Sequence, residues 1–225
     1  MDKAITIFSG GQDSTTCLGW ALKHFEDVEA ITFDYGQRHK VEIEQSKKIC
    51  ELLGVEQTIV SLDFLPTLVT SALTGSGDVC DKHVDHADLP ASFVPNRNAL
   101  FLTLAHAYAQ KKHASALVIG ANQTDYSGYP DCRSEFIMRL VVALNLGSNS
   151  QIDVVAPLLN LSKAETFKLA EEYDVLEIVL EESHTCYEGD RSKNVWGAGC
   201  GECPACLLRK NGYENFLRGK EHGQF

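Results

Sequence analysis

The sequence predicts an α/β fold: an open parallel sheet with helices on both faces, followed by a small metal-binding helical tail. Short β-branched apolar runs alternate with longer helical patterns, which is typical of βαβ units. A glycine-rich turn joins the first strand to the first helix, and cysteines cluster near the C-terminus. We expect the α/β domain to span residues 1–182 and the tail residues 183–225.

The individual elements follow from apolar periodicity, segment length and helix-breaking residues. The predicted strands span residues 4–8, 30–33, 57–62, 116–119 and 152–156. The predicted helices span residues 13–25, 41–53, 97–111, 134–146, 162–173 and 207–217, with Asn96 as the N-cap of the third. Residues 74–95 and 120–133 are predicted loops, and loops this long in compact domains are usually functional or mobile.

Bulk composition argues against several classes of protein. The chain has 225 residues and a formal net charge of -11, so a nucleic-acid duplex would be repelled on average. No apolar run approaches the roughly 18 residues needed to cross a bilayer, and no export signal is evident. We therefore expect a cytoplasmic protein without nucleic-acid or membrane partners. In that compartment, eight cysteines are expected to bind metal rather than form disulfides.

The turn after the first predicted strand has the composition of a phosphate-binding loop. Two glycines let the backbone approach an anion, the first amides of the helix point toward it, and hydroxyl groups add donors. Open α/β sheets bind ligands at this position, and the spacing matches neither the Walker nor the dinucleotide fingerprint. We predict a pyrophosphate cradle formed by Ser9, Gly10, Gly11, Gln12, Asp13, Ser14 and Thr15.

Asp13 places a carboxylate among these anion-binding donors. The carboxylate and the phosphates would repel each other unless a cation lies between them, so we expect Mg²⁺ to bridge the two. Lys163, at the start of a late helix, could reach the same phosphates and neutralise charge in the transition state. The plainer alternatives are a Gly-Ser turn in which Asp13 only caps a helix, and a solvated Lys163.

Four cysteines in the tail, Cys186, Cys200, Cys203 and Cys206, have the pattern of a metal site. Four thiolates satisfy tetrahedral Zn²⁺, and the neighbouring glycines permit a knuckle in which backbone N–H groups point at sulfur. An iron–sulfur cluster and free thiols are the alternatives, although the ferredoxin spacing requires another cysteine soon after Cys206. Since no open coordination position is evident, we expect a structural metal that staples the tail to the sheet.

The remaining thiols and imidazoles give weaker signals. Cys17 and Cys50 fall on apolar helix faces and are predicted core residues. Cys80, His83 and His86 resemble a looser metal-binding trio, although loops rich in histidine and aspartate are common without one.

The Ser-Gly-Gly-x-Asp-Ser loop resembles that of the ATP-pyrophosphatase (PP-loop) superfamily, whose sheet is Rossmann-like and adenine nucleotide alpha hydrolase-like. That resemblance implies cleavage of ATP to AMP and pyrophosphate, and superfamily members commonly carry a lysine such as Lys163. Together with the cysteine tail, residues 33–37, 94–98 and 125–133 extend the similarity to the 7-cyano-7-deazaguanine (preQ0) synthase family of queuosine biosynthesis. Two departures are Asn96, where glycine is common, and a long linker from Cys186 to Cys200.

The resemblance and the predicted strand ends together suggest further site residues. Phe33 and Arg97 are assigned to the nucleotide, although Arg97 could equally tether a loop. Tyrosine faces can hold a flat purine-like ring, Asp131 can accept its N–H donors, and Arg133 can pair with the substrate carboxylate. Alternatively, the tyrosines are core anchors and residues 131–133 a turn with an ion pair. The substrate-binding set is Asp34, Tyr35, Gln37, Tyr126, Tyr129, Asp131 and Arg133.

The activity implied by the resemblance is that of an ATP-dependent ligase. It would convert 7-carboxy-7-deazaguanine and ammonia to 7-cyano-7-deazaguanine through an adenylated acid and an adenylated amide, releasing AMP and pyrophosphate. ATP with Mg²⁺, a structural Zn²⁺ and a homodimer are implied as well. Closure of the 74–95 segment would exclude water from the adenylate.

Two other functions compete with this interpretation. A PP-loop tRNA-thiolating enzyme would need a reactive cysteine and an RNA-binding surface. A non-catalytic zinc-binding nucleic-acid module would need a basic face with interleaved aromatic residues, and it would leave the phosphate loop unexplained.

Overall fold

The computed structural model describes residues 2–75, 77–124, 128–223 and 225, and its centre is a parallel sheet of five strands. The strands are β1 (Lys3–Ile7), β2 (Asp27–Asp34), β3 (Glu56–Ser61), β4 (Ala116–Ile119) and β5 (Asp153–Val155). Their order across the sheet is β3-β2-β1-β4-β5, and every neighbouring pair is parallel. The predicted open parallel sheet is therefore confirmed.

Seven α-helices are present in the described residues, and a small hairpin lies in the tail. The helices are α1 (Gln12–His24), α2 (Val41–Leu53), α3 (Arg97–Lys111), α4 (Ser134–Ser148), α5 (Lys163–Glu172), α6 (Leu176–Glu181) and α7 (Pro204–Glu221). The hairpin consists of β6 (Lys193–Asn194) and β7 (Gly197–Ala198), and short 3-10 turns span Leu65–Thr67 and Pro130–Cys132. The bounds of α2, α3 and β4 match the prediction, whereas α6 and the hairpin were not predicted.

Helices cover both faces of the sheet because successive strand residues point in opposite directions. On one face, Ile5 of β1 belongs to an apolar cluster that includes Leu102 of α3 and Ile137 of α4. On the other, Ala4 belongs to a cluster that includes Leu18 of α1. Among the described helices, none combines the length and apolar character needed to cross a membrane.

The tail shares a core with the sheet. Trp196 and Cys206 belong to the same apolar cluster as Ile5. In addition, α7 packs against α5, where the rings of Phe167 and Phe216 stack with centroids 6.1 Å apart. The division at residue 182 therefore does not separate two cores, and the assignment of residues 183–225 as a distinct zinc-binding segment stays a prediction.

The segment at residues 74–95 is packed rather than detached. Val79, Phe93 and Val94 are buried, and the amide of Ala91 donates to the Asp81 carbonyl over 2.9 Å. The segment thus contributes side chains to the core, and its closure over a ligand stays a prediction.

A buried carboxylate lies near the amino-terminal ends of the strands, away from the loop predicted to bind phosphate. Glu29 of β2 accepts hydrogen bonds from Lys3 Nζ and from Tyr108 Oη (2.9 Å), and Lys112 Nζ lies 2.7 Å from its Oε2. Burial by itself would raise the pKa of Glu29, but these donors outweigh burial and hold the pKa below its ordinary value. This cluster is a structural charge site that ties β1, β2 and α3 together.

Candidate active site

A cleft of about 290 Å³ opens at the carboxyl ends of β1, β2 and β4. The chain order reverses between β1 and β4, and open α/β sheets bind ligands at such a switch point. Most of the predicted site residues line this cleft: Ser9, Gly11, Gln12, Asp13, Ser14, Phe33, Tyr35, Gln37, Arg97, Tyr129 and Lys163.

The loop between β1 and α1 presents its backbone to the cleft. Gly10 adopts a left-handed φ of 84°, and a Cβ atom there would lie 2.7 Å from the carbonyl oxygen of Glu42, so glycine is required. Within the described residues, the amides of Asp13 and Ser14, in the first turn of α1, have no hydrogen-bond acceptor. These amides and the positive end of the α1 dipole have the donors and the charge that could bind an anion, and this region is called here the anion site.

Gly120, directly after β4, lets the end of that strand approach the first turn of α1 closely. A Cβ atom at this position would lie 3.1 Å from the Ser14 amide nitrogen and 3.2 Å from the Asp13 carbonyl carbon. A side chain here would therefore crowd the anion site. Sequence reasoning assigned Gly120 only to a loop, although a glycine ending a buried strand was the available signal.

Asp13 and Lys163 form an ion pair in the cleft. Lys163 Nζ donates to both carboxylate oxygens of Asp13 over 2.9 Å, and its side chain is 9% exposed. Lys163 is the first residue of α5, whose start is fixed by a capping box between Ser162 and Glu165. Gly212 of α7 packs on the lysine stem, since a Cβ atom there would lie 2.4 Å from Lys163 Cγ. The Lys163 side chain is thus held by Asp13 of α1 and by Gly212 of α7, which lie far apart in sequence.

The tail forms one wall of the phosphate loop. The His184 amide donates to the Gly10 carbonyl over 2.9 Å, and the Gln12 amide donates to Thr185 Oγ1 over 3.3 Å. Arg209 of α7, which is 1% exposed, also donates to Thr185 Oγ1 over 3.1 Å. Burial lowers the pKa of Arg209 to about 10, so the guanidinium stays charged at neutral pH. None of His184, Thr185 and Arg209 was predicted as a site residue.

The four tail cysteines converge on one point. Their sulfur atoms all lie within 4.8 Å of one another, with Cys200 and Cys206 separated by 3.9 Å and Cys186 and Cys203 by 4.0 Å. A tetrahedron of Zn–S bonds has edges of about 3.8 Å, so this donor set fits Zn²⁺. The amides of Glu202 and Cys203 donate to Cys200 Sγ over 3.4 and 3.3 Å. The predicted cluster and its N–H···S knuckle are confirmed; the identity of the metal is not.

Aromatic side chains form a further wall of the cleft, called here the aromatic wall. Arg97 Nη1 donates to Tyr35 Oη over 3.3 Å, and its guanidinium carbon lies 5.6 Å from the centroid of that ring. The Tyr129 hydroxyl lies 2.7 Å from Ser92 Oγ, and the rings of Phe33 and Phe101 stack at 4.4 Å. These side chains give this part of the cleft an aromatic, mostly apolar lining.

Several predicted binding residues do not line the cleft. Asp34 pairs with Lys40 over 2.9 Å, and Arg133 is exposed at the start of α4. Asp131 is buried, and its Oδ2 accepts the Asn98 amide over 3.0 Å. It therefore caps α3 in place of Asn96, which takes a left-handed φ of 58° without a side-chain cap. These roles, like those of Gly10 and Thr15, stay predictions, and Tyr126 lies outside the described residues.

Glu42 is a cleft residue that sequence reasoning missed. It lies in the first turn of α2, and burial raises the pKa of its carboxyl to about 7 even though Arg97 acts in the opposite direction. Tyr187, next to Cys186, also lines the cleft and was not predicted.

The other cysteines and histidines do not form a second metal site in the described part of the chain. Both ring nitrogens of His83 are engaged, with the Thr70 carbonyl at 2.8 Å and the Asp85 amide at 3.1 Å. Cys17 and Cys50 are buried, as predicted, and all eight cysteines are free of disulfides.

Comparison with known proteins identifies relatives over the whole chain. Residues 3–217 match the family described as queuosine biosynthesis protein QueC. A 7-cyano-7-deazaguanine synthase of Wolinella succinogenes is 59% identical over 216 residues, covering 95% of this chain and 93% of that protein. The synthase of Clostridium botulinum is 46% identical over 215 residues, covering 96% of each.

Solved structures share the fold at low sequence identity. A 4-thiouridine synthetase in complex with RNA and ATP aligns with a TM-score of 0.51 at 18% identity, covering 95% of this chain and 53% of that one. A predicted tRNA methyltransferase subunit from Methanocaldococcus jannaschii aligns with a TM-score of 0.50 at 19% identity, covering 76% and 75%. These likenesses support the open parallel α/β fold.

Proposed function

The chain belongs to the QueC family of queuosine biosynthesis proteins, and on that basis we propose that it makes 7-cyano-7-deazaguanine. The observation that carries the proposal is the match over residues 3–217, which includes the phosphate loop, the aromatic wall and the cysteine cluster together. The substrates we assign are 7-carboxy-7-deazaguanine, ammonia and ATP, and the products are the nitrile, AMP and pyrophosphate.

The phosphate loop supports the adenylation step. The free amides of Asp13 and Ser14 would bind the pyrophosphate part of ATP while the substrate carboxylate attacks the α-phosphorus. Lys163, now paired with Asp13, would shift toward the charge that builds on the leaving pyrophosphate. Mg²⁺ would be held by Asp13 and would neutralise phosphate charge. Catalysis at this site is therefore chiefly electrostatic.

We assign the aromatic wall to the deazaguanine ring. Tyr35 and Tyr129 line the cleft and could contact a flat ring, and Arg97 offers a cation to a carboxylate or phosphate. This wall lines the same cleft as the phosphate loop, so a ring held there would have its acid group in the same cavity as the α-phosphate. Asp131 and Arg133 remain weaker candidates, since neither lines the cleft.

The metal we assign to the cysteine cluster is a structural Zn²⁺. Cys186 follows Thr185 directly, and Cys206 lies in the same helix as Arg209. A metal that joins these cysteines would hold the Thr185–Gln12 contact and hence the phosphate loop.

The thiols outside this cluster argue against the tRNA-thiolating alternative, which requires a reactive thiolate. Burial raises the pKa of Cys50 to about 12 and of Cys132 to about 11, and it raises that of Cys17 well above its ordinary value. Cys80 is exposed, but desolvation and Asp78 raise its pKa as well. We therefore favour amide and nitrile formation over sulfur transfer.

We further propose a cytoplasmic homodimer that pairs through α4. Met138, Val142 and Leu146 repeat at every fourth residue and are 65%, 59% and 79% exposed. The charged residues of α4, Glu135 and Arg139, neutralise each other, so a second acidic chain could approach this face. We expect Val142→Glu to yield a monomer in multi-angle light scattering; an unchanged mass would exclude this face.

The test of the function is a product analysis. Purified protein is incubated with ATP, ammonia and 7-carboxy-7-deazaguanine, and products are identified by mass spectrometry. We expect AMP and a nitrile that appears only when all three substrates are present. ADP in place of AMP would overturn the assignment.

A further inference from the structure

Glu42 is a carboxyl group in the cleft that has no partner among the described residues. Within the part of the chain that the structure describes, no hydrogen bond or ion pair reaches its side chain, and Arg97 acts on it only at a distance. Its oxygens are nevertheless accessible to solvent, and the residue lines the cleft. A partly buried carboxyl without a partner costs stability, which indicates a role outside folding.

The surroundings of Glu42 favour proton exchange at neutral pH. The groups that act on it electrostatically are Arg97 from α3, Tyr35 after β2 and Tyr187 from the tail. Arg97 lowers the pKa of Glu42 and so favours its charged form, but burial outweighs this effect. Because burial raises the pKa of Glu42 to about 7, protonated and ionised forms coexist under physiological conditions, as a general base requires.

Glu42 lines the same cleft as the phosphate loop and Lys163. Its backbone also packs on that loop, since a Cβ atom at Gly10 would lie 2.7 Å from the Glu42 carbonyl oxygen. In an adenylate, the reacting carbon is joined to the α-phosphorus through a single oxygen. A nucleotide held by the loop would therefore place that carbon in the cleft that Glu42 lines.

We propose that Glu42 is the general base that removes protons from the substrate nitrogen, a role that rests on the proposed function. In amide formation, the ammonia lone pair forms the C–N bond while the C–O bond to AMP breaks. AMP leaves with the electron pair, and the nitrogen gives one proton to Glu42.

In nitrile formation, the amide oxygen first attacks the α-phosphorus of a second ATP and pyrophosphate leaves. The C–O bond to AMP then breaks, the nitrogen electrons complete the triple bond, and two further protons leave the nitrogen in turn. Glu42 passes each proton to solvent through the open cleft before it accepts the next.

Glu42→Gln tests this role because adenylation of the acid takes no proton from nitrogen. Exchange of labelled pyrophosphate into ATP, dependent on the acid and measured without ammonia, should stay close to that of the unmodified chain. Amide formation from the acid, and nitrile formation from supplied amide, should each fall about 100- to 10,000-fold. Glu44→Gln is the matched control, since Glu44 is an exposed acid in the same turn of α2 and should leave all three rates unchanged.

The outcomes separate three cases. If Glu42→Gln loses pyrophosphate exchange as well as amide formation, Glu42 binds the ring or the nucleotide and the proposal is overturned. Amide formation by Glu42→Gln at the rate of the unmodified chain would overturn it too. The amide-forming rate of the unmodified chain should also rise with pH through about 7, an inflection that Glu42→Gln should lose. If the proposed function itself is wrong, the unmodified chain will show no acid-dependent exchange.

Discussion

Replacing Gly212 with alanine tests how the fold holds the lysine of the active site. A Cβ atom at Gly212 would lie 2.4 Å from Lys163 Cγ, 2.7 Å from its Cβ and 3.2 Å from its carbonyl carbon. These atoms are close to the Lys163 backbone, so rotation of the side-chain end cannot relieve the overlap. Either α5 or α7 must shift, and the ammonium group must shift with it.

The expected magnitudes follow from this overlap. Alanine gains about 1 kcal/mol in helix propensity over glycine, while overpacking costs about 1–3 kcal/mol. The free energy of unfolding should therefore fall by about 1 kcal/mol. The effect on catalysis should be larger, because a misplacement of about 1 Å can cost about 100-fold in rate. We expect substrate-dependent pyrophosphate release to fall about 10- to 100-fold.

The assay pairs urea denaturation with continuous measurement of pyrophosphate release. Gly147→Ala makes the same change in helix α4, where an added Cβ atom meets nothing within 4 Å, and it should leave the rate unchanged. In a Lys163→Ala background, Gly212→Ala should cause no further loss of rate. Full activity of Gly212→Ala, or additive losses in the double variant, would refute the idea that Gly212 acts through Lys163.

Three further perturbations address other parts of the structure. Asp13→Asn should abolish substrate-dependent pyrophosphate release without changing the circular dichroism spectrum; retained release would remove Asp13 from the mechanism. Removing the tail metal with a chelator should weaken ATP binding, measured by calorimetry, because the Thr185–Gln12 contact depends on it; equal affinity with and without metal would contradict this coupling. Since the pKa of Glu29 is lowered in the folded state, its contribution to stability is present above about pH 4.3 and is lost as pH falls further. Glu29→Gln should thus lower the free energy of unfolding by about 3 kcal/mol at pH 7 and make that free energy less dependent on pH below 5. An unchanged dependence on pH in this acid range would argue against this account.

The sequence predicted those parts of the fold that are encoded locally. Helix α2 ends at Gly54, whose left-handed φ of 66° is a common stop signal, and the predicted bounds of α2 were correct. By contrast, α6 has six residues and the strands of the tail hairpin have two each, which is too short for apolar periodicity to register. Helix α7 begins earlier than predicted because Pro204 occupies its first position directly after Cys203.

The candidate site likewise contains residues that a local sequence pattern predicts and residues that it does not. The phosphate loop is contiguous in sequence and could be found from composition, whereas Thr185 meets Gln12 across 173 residues of chain. Such contacts form where the C-terminal tail folds back onto the phosphate loop, and no local sequence pattern predicts them. Glu42 was within reach, since it lies in the first turn of the helix that follows the predicted 33–37 segment. Asp131 does not line the cleft because the 3-10 turn at Pro130–Cys132 directs its carboxylate to the Asn98 amide, which the sequence alone did not indicate.

The hydrogen bond from the His184 amide to Gly10 has a consequence for biosynthesis. A ribosome finishes all five strands of the large sheet before it reaches His184, yet the nucleotide pocket still lacks one wall at that stage. The wall arrives with the last fifth of the polypeptide, and a metal bound by the four thiolates of that segment would fix it. Under the proposed function, a nascent chain would complete its sheet before it could bind ATP, and metal supply would determine when synthesis yields a working enzyme.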